Sequence, residues 1–341
     1  MLDFLDTNKQ NEIESLIKIN NYMDYKDIIL KFLQINHDNK LKINSKNFNI
    51  SENDEFYVYI NKHNLNKLIS QIIGIIYGKY IFNDVSNSSE INNTLNANGV
   101  YIHNEAISND ICDAIINKIN HKNFNSLNNK KFINHDIFNS SPGTSWISDH
   151  KDVIEIEEVQ KLVTNPFILN IAQNYLGCIP ILAQTNFWVS KYGSNDQTNF
   201  FHQDYDDVNF LKIFIYLTDV NENNGSHSYV KGSLNNMITP LNYKPSDRIN
   251  NETMYKNYGN ENILNICGKK GTIIFEDTNG FHKGNILIEG YRFILQLEYC
   301  SSTKFLDNKI YFINELNKSK NSVLYNAKVK YPDTFILYNF D

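Results

Sequence analysis

Past Pro180 the hydrophobic pattern changes period. Before it, apolar residues recur three and four apart, as on a helix. After it they fall in short alternating or continuously apolar runs, as in strands. Residues 181–192, 209–217, 228–230, 272–276 and 292–299 read as strands, and Gly193-Ser-Asn-Asp, Asn221-Glu-Asn-Asn-Gly and Thr278-Asn-Gly punctuate them as turns. Many short strands with turns between them close into a sandwich or barrel. Helices followed by a strand-rich half make the class α+β.

The first 82 residues read as helical. Ile13, Leu16, Ile17 and Ile19, then Ile28, Ile29, Leu30, Phe32 and Leu33, and then Leu65, Leu68, Ile69, Ile72 and Ile75 form apolar stripes without ligand-spaced His, Asp or Glu. The polar stretch 83–98 is the expected linker. A short strand follows from Gly99 to His103, then a helix capped by Ser108 or Asn109. Residues 121–160 read as irregular, and a helix runs from Pro166 to Tyr175 and stops at Gly177. Asn is so frequent that its usual value as a turn signal is reduced.

The net charge of −6 argues against a broad nucleic-acid or anionic-membrane surface, which needs clustered Lys and Arg. The apolar stretch 68–78 is too short to span a bilayer. Cys112, Cys178, Cys267 and Cys300 lie far apart, without CxxC spacing, and as free thiols fit a reducing compartment. The polar N-terminus does not read as a secretory signal. The expectation is a cytoplasmic protein with a small-molecule partner and neither nucleic acid nor membrane; the oligomeric state stays open.

The chemistry concentrates in His202-Gln-Asp204, His282 and Arg292. Two imidazoles and one carboxylate suit the facial triad of a non-haem Fe(II) site, which leaves three coordination positions open. His202 and Asp204, two apart on extended chain, point to one side, and His282 must come from a distant strand. Arg292 sits on an apolar strand, where a buried guanidinium needs an anion, and its planar fork fits the distal carboxylate of 2-oxoglutarate. A second copy of the motif, His150-Lys-Asp152, lacks this strand context. Asp206 and Asp207 are expected to be solvated turn acids, and His227 a loop histidine. Asp277 and Glu276 fit either a turn role or support of the distal histidine, and Lys212 and Tyr216 share one strand face. No GxSxG, P-loop or GxGxxG fingerprint occurs.

Several of these segments, in order, resemble the phytanoyl-CoA dioxygenase family of Fe(II)/2-oxoglutarate oxygenases. They are Phe201-His-Gln-Asp-Tyr-Asp-Asp, Phe214-Ile-Tyr-Leu-Thr-Asp-Val-Asn-Glu-Asn-Asn-Gly, Tyr229-Val-Lys-Gly-Ser and Gly271-Thr-Ile-Ile-Phe-Glu-Asp-Thr-Asn-Gly-Phe-His-Lys-Gly. The resemblance covers roughly residues 95–302. It implies a double-stranded β-helix (jelly-roll, cupin-like) core with flanking helices. It also implies His202, Asp204 and His282 as iron ligands, Arg292 as the 2-oxoglutarate salt-bridge residue, and Fe(II), 2-oxoglutarate and O2 as cofactor and co-substrates. The family places co-substrate-contacting polar side chains on its first core strand, where Asn186 and Gln184 stand here, on one face with Trp188. Two departures are Lys231 in place of the usual proline and a His282-to-Arg292 loop about one residue short. A carboxylate at 204, where related halogenases carry a small residue, implies hydroxylation or another C–H oxidation.

The expected organisation is a mainly helical region 1–90, a jelly-roll dioxygenase unit 95–305 and a C-terminal extension 306–341 packed on the core. The expected activity is hydroxylation of an unactivated C–H bond of a small metabolite, sugar or natural-product substrate, with succinate and CO2 released. The alternatives are a catalytically silent jelly-roll binding module and a cupin-type metalloenzyme without 2-oxoglutarate.

Overall fold

The strand pattern past Pro180 becomes two packed sheets. The computed structural model describes residues 2–44, 65–82, 88–120, 122–126, 132–134, 145–239, 243, 247–302, 311–312 and 322–340. Besides a two-stranded parallel pair, Tyr311–Phe312 with Tyr338–Asn339, its strands are β1 (Val100–His103), β2 (Asn123–Ser126), β3 (Phe132–Asn134), β4 (Ser145–Ser148), β5 (Ile181–Lys191), β6 (Phe210–Tyr216), β7 (His227–Val230), β8 (Ile263–Ile266), β9 (Ile273–Glu276), β10 (His282–Gly284) and β11 (Tyr291–Cys300). Eight form an antiparallel sheet in the order β1-β9-β6-β11-β5-β4-β2-β3; three form a small sheet, β10-β7-β8. Backbone bridges Phe201↔Ile249 and His202↔His282 add residues 201–202 to the edge of the small sheet.

From β5 onward the chain moves repeatedly between the two sheets. β5, β6, β9 and β11 lie in the large one, and residues 201–202, β7, β8 and β10 in the small one. Eight such antiparallel segments in two facing sheets are the jelly-roll arrangement. Where the large sheet turns away from the small one, its side chains are apolar. Phe187, Val189, Phe293, Leu295, Leu297, Leu211, Ile213, Ile215, Ile273 and Phe275 all join the main core. Ile13, Ile17, Ile29 and Phe32 near the N-terminus, and Leu324 and Phe335 near the C-terminus, belong to the same buried cluster.

The helix Pro166–Leu176 shows how local chemistry sets these elements. Asn165 caps it through its side chain on the Phe167 N–H, proline opens it, and Gly177 closes it at a φ of 75°. Ser88–Asn98 is a helix and not the expected linker, because Ile91 and Leu95, one turn apart, both reach buried positions. Residues 83–87 lie outside the described part. The expectation of an irregular 121–160 is likewise revised: β4 and the helices His150–Ile154 and Glu157–Val163 occupy its second half, burying Val153, Ile154, Val159, Leu162 and Val163. Among the described residues no helix is long and apolar enough to cross a membrane.

Candidate metal centre

The two histidines are placed by main-chain pairing. His202 N–H donates to the His282 carbonyl and His282 N–H to the His202 carbonyl, each at 3.0 Å, so the residues stand opposite one another with ring centroids 4.3 Å apart. Asp204 N–H donates to the Thr278 carbonyl at 2.8 Å, which brings the third member to the same turn. That turn is itself locked from behind. Tyr229 donates from its hydroxyl to the Asp277 carbonyl at 3.0 Å, and the hydroxyl fills the space where any side chain at Gly99 or Gly280 would have to go. The Asp277 carboxylate accepts from the Tyr175 hydroxyl and from the Asn279 main-chain and side-chain N–H groups.

The donor atoms converge. His202 Nε2 lies 3.8 Å from Asp204 Oδ1, and His282 Nε2 lies 3.3 Å from Asp204 Oδ2. Among the described residues this is the one group of three such side chains with ligand atoms all within 4.8 Å of one another. His202 Nδ1 sits 2.8 Å from the Phe200 carbonyl and His282 Nδ1 3.0 Å from the Gly280 carbonyl. A carbonyl only accepts, so each Nδ1 carries a proton, and in its neutral form each ring turns an Nε2 lone pair to the centre. Burial and the neighbouring His282 push the His202 imidazole down to about 3, favouring its neutral form. Burial also works against a charged His282, but Asp204 outweighs it and raises that ring. Burial opposes the Asp204 charge too, yet Lys212 and the two imidazoles hold this carboxyl well below its usual range. Two nitrogens and an anionic oxygen on one side fit a divalent first-row metal and lack the thiolates of a structural zinc site.

Arg292 is buried on β11 opposite Ser190 of β5. It donates to the Gly225 carbonyl and, at 3.3 Å, to Ser190 Oγ, while its Nε has no partner. Among the described residues no carboxylate pairs with it, and burial lowers its guanidinium pKa. Asp196 acts on it only from beyond contact distance, and a buried cation without a carboxylate in contact is costly, so the position suits an anion from outside the chain. A Cβ placed on Gly284 would lie 3.4 Å from Arg292 Nη2. Gly284 follows His282 by two residues on β10, so the guanidinium borders the strand at a residue about 7 Å along it from His282.

The other expected contact residues lie on the same inner face. Asn186 is buried, with Nδ2 3.4 Å from the Ser148 carbonyl and Oδ1 unpartnered. Gln184 is half-buried, level with Glu298 of β11. Trp188 donates from Nε1 to Gln296 Oε1 at 2.9 Å. The second His-x-Asp is committed elsewhere: His150 Nδ1 accepts from the Thr185 N–H at 2.7 Å, and its Nε2 meets the Tyr338 hydroxyl at 3.0 Å.

Three expectations change. His227 is not a loop histidine: it lies buried in β7, its Nε2 2.9 Å from the fully buried Glu276, its ring 5.8 Å from that of His282. A Gly-Ser-His-Ser string reads as a turn, and only the pairing of β7 with β8 and β10 makes it a strand. Asp207 is fully buried, accepting from Ser302 N–H at 2.7 Å and from the Ser301 and Ser302 hydroxyls. Burial, opposed by these bonds, pushes its carboxyl up to about 6. Asp206 is half-exposed yet paired, 2.6 Å from Lys212. Lys212 itself is buried, bonding Asp204 at 2.7 Å.

No protein-family model matches the chain, and no curated protein matches it in sequence. The family resemblance therefore rests on its motifs. Among solved structures, the non-heme α-ketoglutarate-dependent epimerase SnoN from nogalamycin biosynthesis is similar at 14% identity over 63% of this chain and 84% of that one, with a TM-score of 0.46. HygX from Streptomyces hygroscopicus, solved with nickel and 2-oxoglutarate, is similar at 12% identity over 62% and 85%, with a TM-score of 0.43. EctD from S. alaskensis, in its apo form, is similar at 17% over 66% and 80%, with a TM-score of 0.46.

Proposed function

We propose that the chain is a non-haem Fe(II)/2-oxoglutarate-dependent oxygenase that hydroxylates a small molecule. One observation carries the reading: the converging His202, Asp204 and His282 donors lie a short way along β10 from a buried guanidinium that has no carboxylate in contact among the described residues and an unpartnered Nε. The motif resemblance to phytanoyl-CoA dioxygenases supports it. The solved structures with similar folds include enzymes named as α-ketoglutarate-dependent.

In this reading His202, Asp204 and His282 hold the metal through Nε2, a carboxylate oxygen and Nε2. The Phe200 and Gly280 carbonyls keep both rings turned inward. Arg292, steadied by the Gly225 carbonyl and Ser190, takes the distal carboxylate of 2-oxoglutarate in a bidentate pair. Asn186 and Gln184, on the same face, offer amides to the co-substrate, and the unpartnered Asn186 Oδ1 is the clearest free group there. Bound iron with 2-oxoglutarate and O2 supplies oxidative decarboxylation to succinate and CO2, coupled to oxidation of a substrate C–H bond. The apolar residues beside the site, Phe214, Ile274 and Ile294, keep it dry. Asp204 fills the position that a halide would need, which supports hydroxylation.

The test is substrate-free turnover. The purified chain is loaded anaerobically with Fe(II) and 2-oxoglutarate, its visible absorption recorded, then O2 admitted and succinate measured, with His202→Ala alongside. An absorption band and succinate, both lost in the variant, support the oxygenase. Tight metal binding with no response to 2-oxoglutarate overturns the co-substrate and leaves a cupin-type metalloenzyme.

A further inference from the structure

The inner face of the large sheet carries one charged row. Gln184 on β5 pairs with Glu298 on β11, Glu298 with Lys212 on β6, and Lys212 with Glu276 on β9, each directly across from the next. A facial triad has no need of a lysine, yet Lys212 reaches one of its members. Its Nζ lies 2.7 Å from Asp204 Oδ2, 2.6 Å from Asp206 Oδ2 and 4.0 Å from Glu298 Oε2. The side chain is only 9% exposed, and Glu298 Oε2 has no hydrogen-bond partner. A buried ammonium persists only where anions surround it.

Resting on the metal-centre reading, we propose that Lys212 is a positioning residue for the metal. Its ammonium holds Asp204 by Oδ2 and so fixes the direction in which the carboxylate faces the two imidazoles, while Asp206 and Glu298 hold the ammonium in place. Asp204 has no partner on its own turn comparable to the carbonyls behind the two histidines; Lys212 fills that part from the facing sheet. An outer partner of this kind fixes the direction and basicity of the ligand it touches.

The opposite reading is that the ammonium occupies the place of the cation and competes with it. The two differ in the sign of one measurement. Mn(II) binding to the full chain is measured by calorimetry and by the electron paramagnetic resonance of free Mn(II), without 2-oxoglutarate, for the parent, Lys212→Met, Lys212→Arg and His202→Ala. Positioning predicts about 10–100-fold weaker binding in Lys212→Met and a smaller loss in Lys212→Arg, which keeps the charge. Unchanged or tighter binding in Lys212→Met overturns the proposal. Should that variant fail to fold, Lys212→Met with Glu298→Gln removes the ammonium together with one acid and carries the same test. Parent-like Mn(II) binding by His202→Ala would instead sink the metal-centre reading itself.

Discussion

The large sheet buries both of its faces, and they differ in kind. Towards the helices β5 sends Phe187 and Val189, β11 sends Phe293, Leu295 and Leu297, and β6 and β9 send Ile213, Ile215, Ile273 and Phe275. Towards the small sheet the same strands send Gln184, Asn186, Trp188 and Ser190, then Arg292, Gln296 and Glu298, then Lys212 and Glu276, with Ile294, Phe214, Tyr216 and Ile274 among them. Burial is nearly equal on the two sides; chemistry is not. One face stabilises by excluding water. The other spends that stability on polar groups, several of them unpartnered. Polar residues scattered among the alternate positions of an otherwise apolar strand therefore mark the face that holds the site.

Substitutions on the two faces should separate function from stability. The largest effect is expected for His282→Ala, which removes a donor from the centre. Its metal affinity should fall by more than the about 10–100-fold that losing an outer partner costs, and titration with Mn(II) measures it. On the opposite face Phe275→Ala should cost about 3–5 kcal/mol of folding stability by denaturant titration, while the folded fraction binds metal as before. A parallel loss of metal affinity there would break the separation of the faces.

Arg292→Leu should move the two properties in opposite directions. Losing a charge-assisted pair worth about 1.5–3 kcal/mol raises the half-saturating 2-oxoglutarate concentration roughly tenfold or more. Removing a buried cation without a carboxylate in contact raises the melting temperature of the ligand-free protein. A fall in both would mean that the guanidinium is structural.

The smallest expected effect concerns Asp207, at the turn after the first two ligands. Its carboxyl sits at about 6 in the fold against an ordinary 3.8. Between those values the folded chain holds a proton that the unfolded chain has lost, so this group makes stability fall as pH rises from about 4 to about 6. Asp207→Asn should flatten that stretch of the melting-temperature profile, read as a change of slope and not of level. An unchanged slope would place the carboxyl in its ordinary range.

Much of this was legible in the amino-acid order. The strands β1, β5, β6, β7, β9 and β11 were, because alternation and turn residues are local properties, whereas the short strands β2, β3, β4, β8 and β10 were not. So was the pairing of His202 with Asp204, because two residues apart on extended chain is a local geometry. His282 and Arg292 could be chosen because each stands in or beside an apolar strand. The helix Ser88–Asn98 was misread because an Asn-rich stretch hides an Ile91–Leu95 pair that matters only once a core lies beneath it. His227 and Asp207 were misread for a related reason. Each carries polar neighbours typical of a turn, and their burial comes from segments far away in the chain.

The sequence by itself thus determined the longer elements of the strand-rich half, the class of the core and which side chains were candidates to converge, since period and spacing act over a few residues. Only the tertiary structure decided which groups face one another across the sheets: Lys212 against Asp204, His227 against Glu276, and Arg292 against an empty flank of Gly284. Those pairings depend on strand register, and a shift of one residue would turn every one of these side chains to the opposite face.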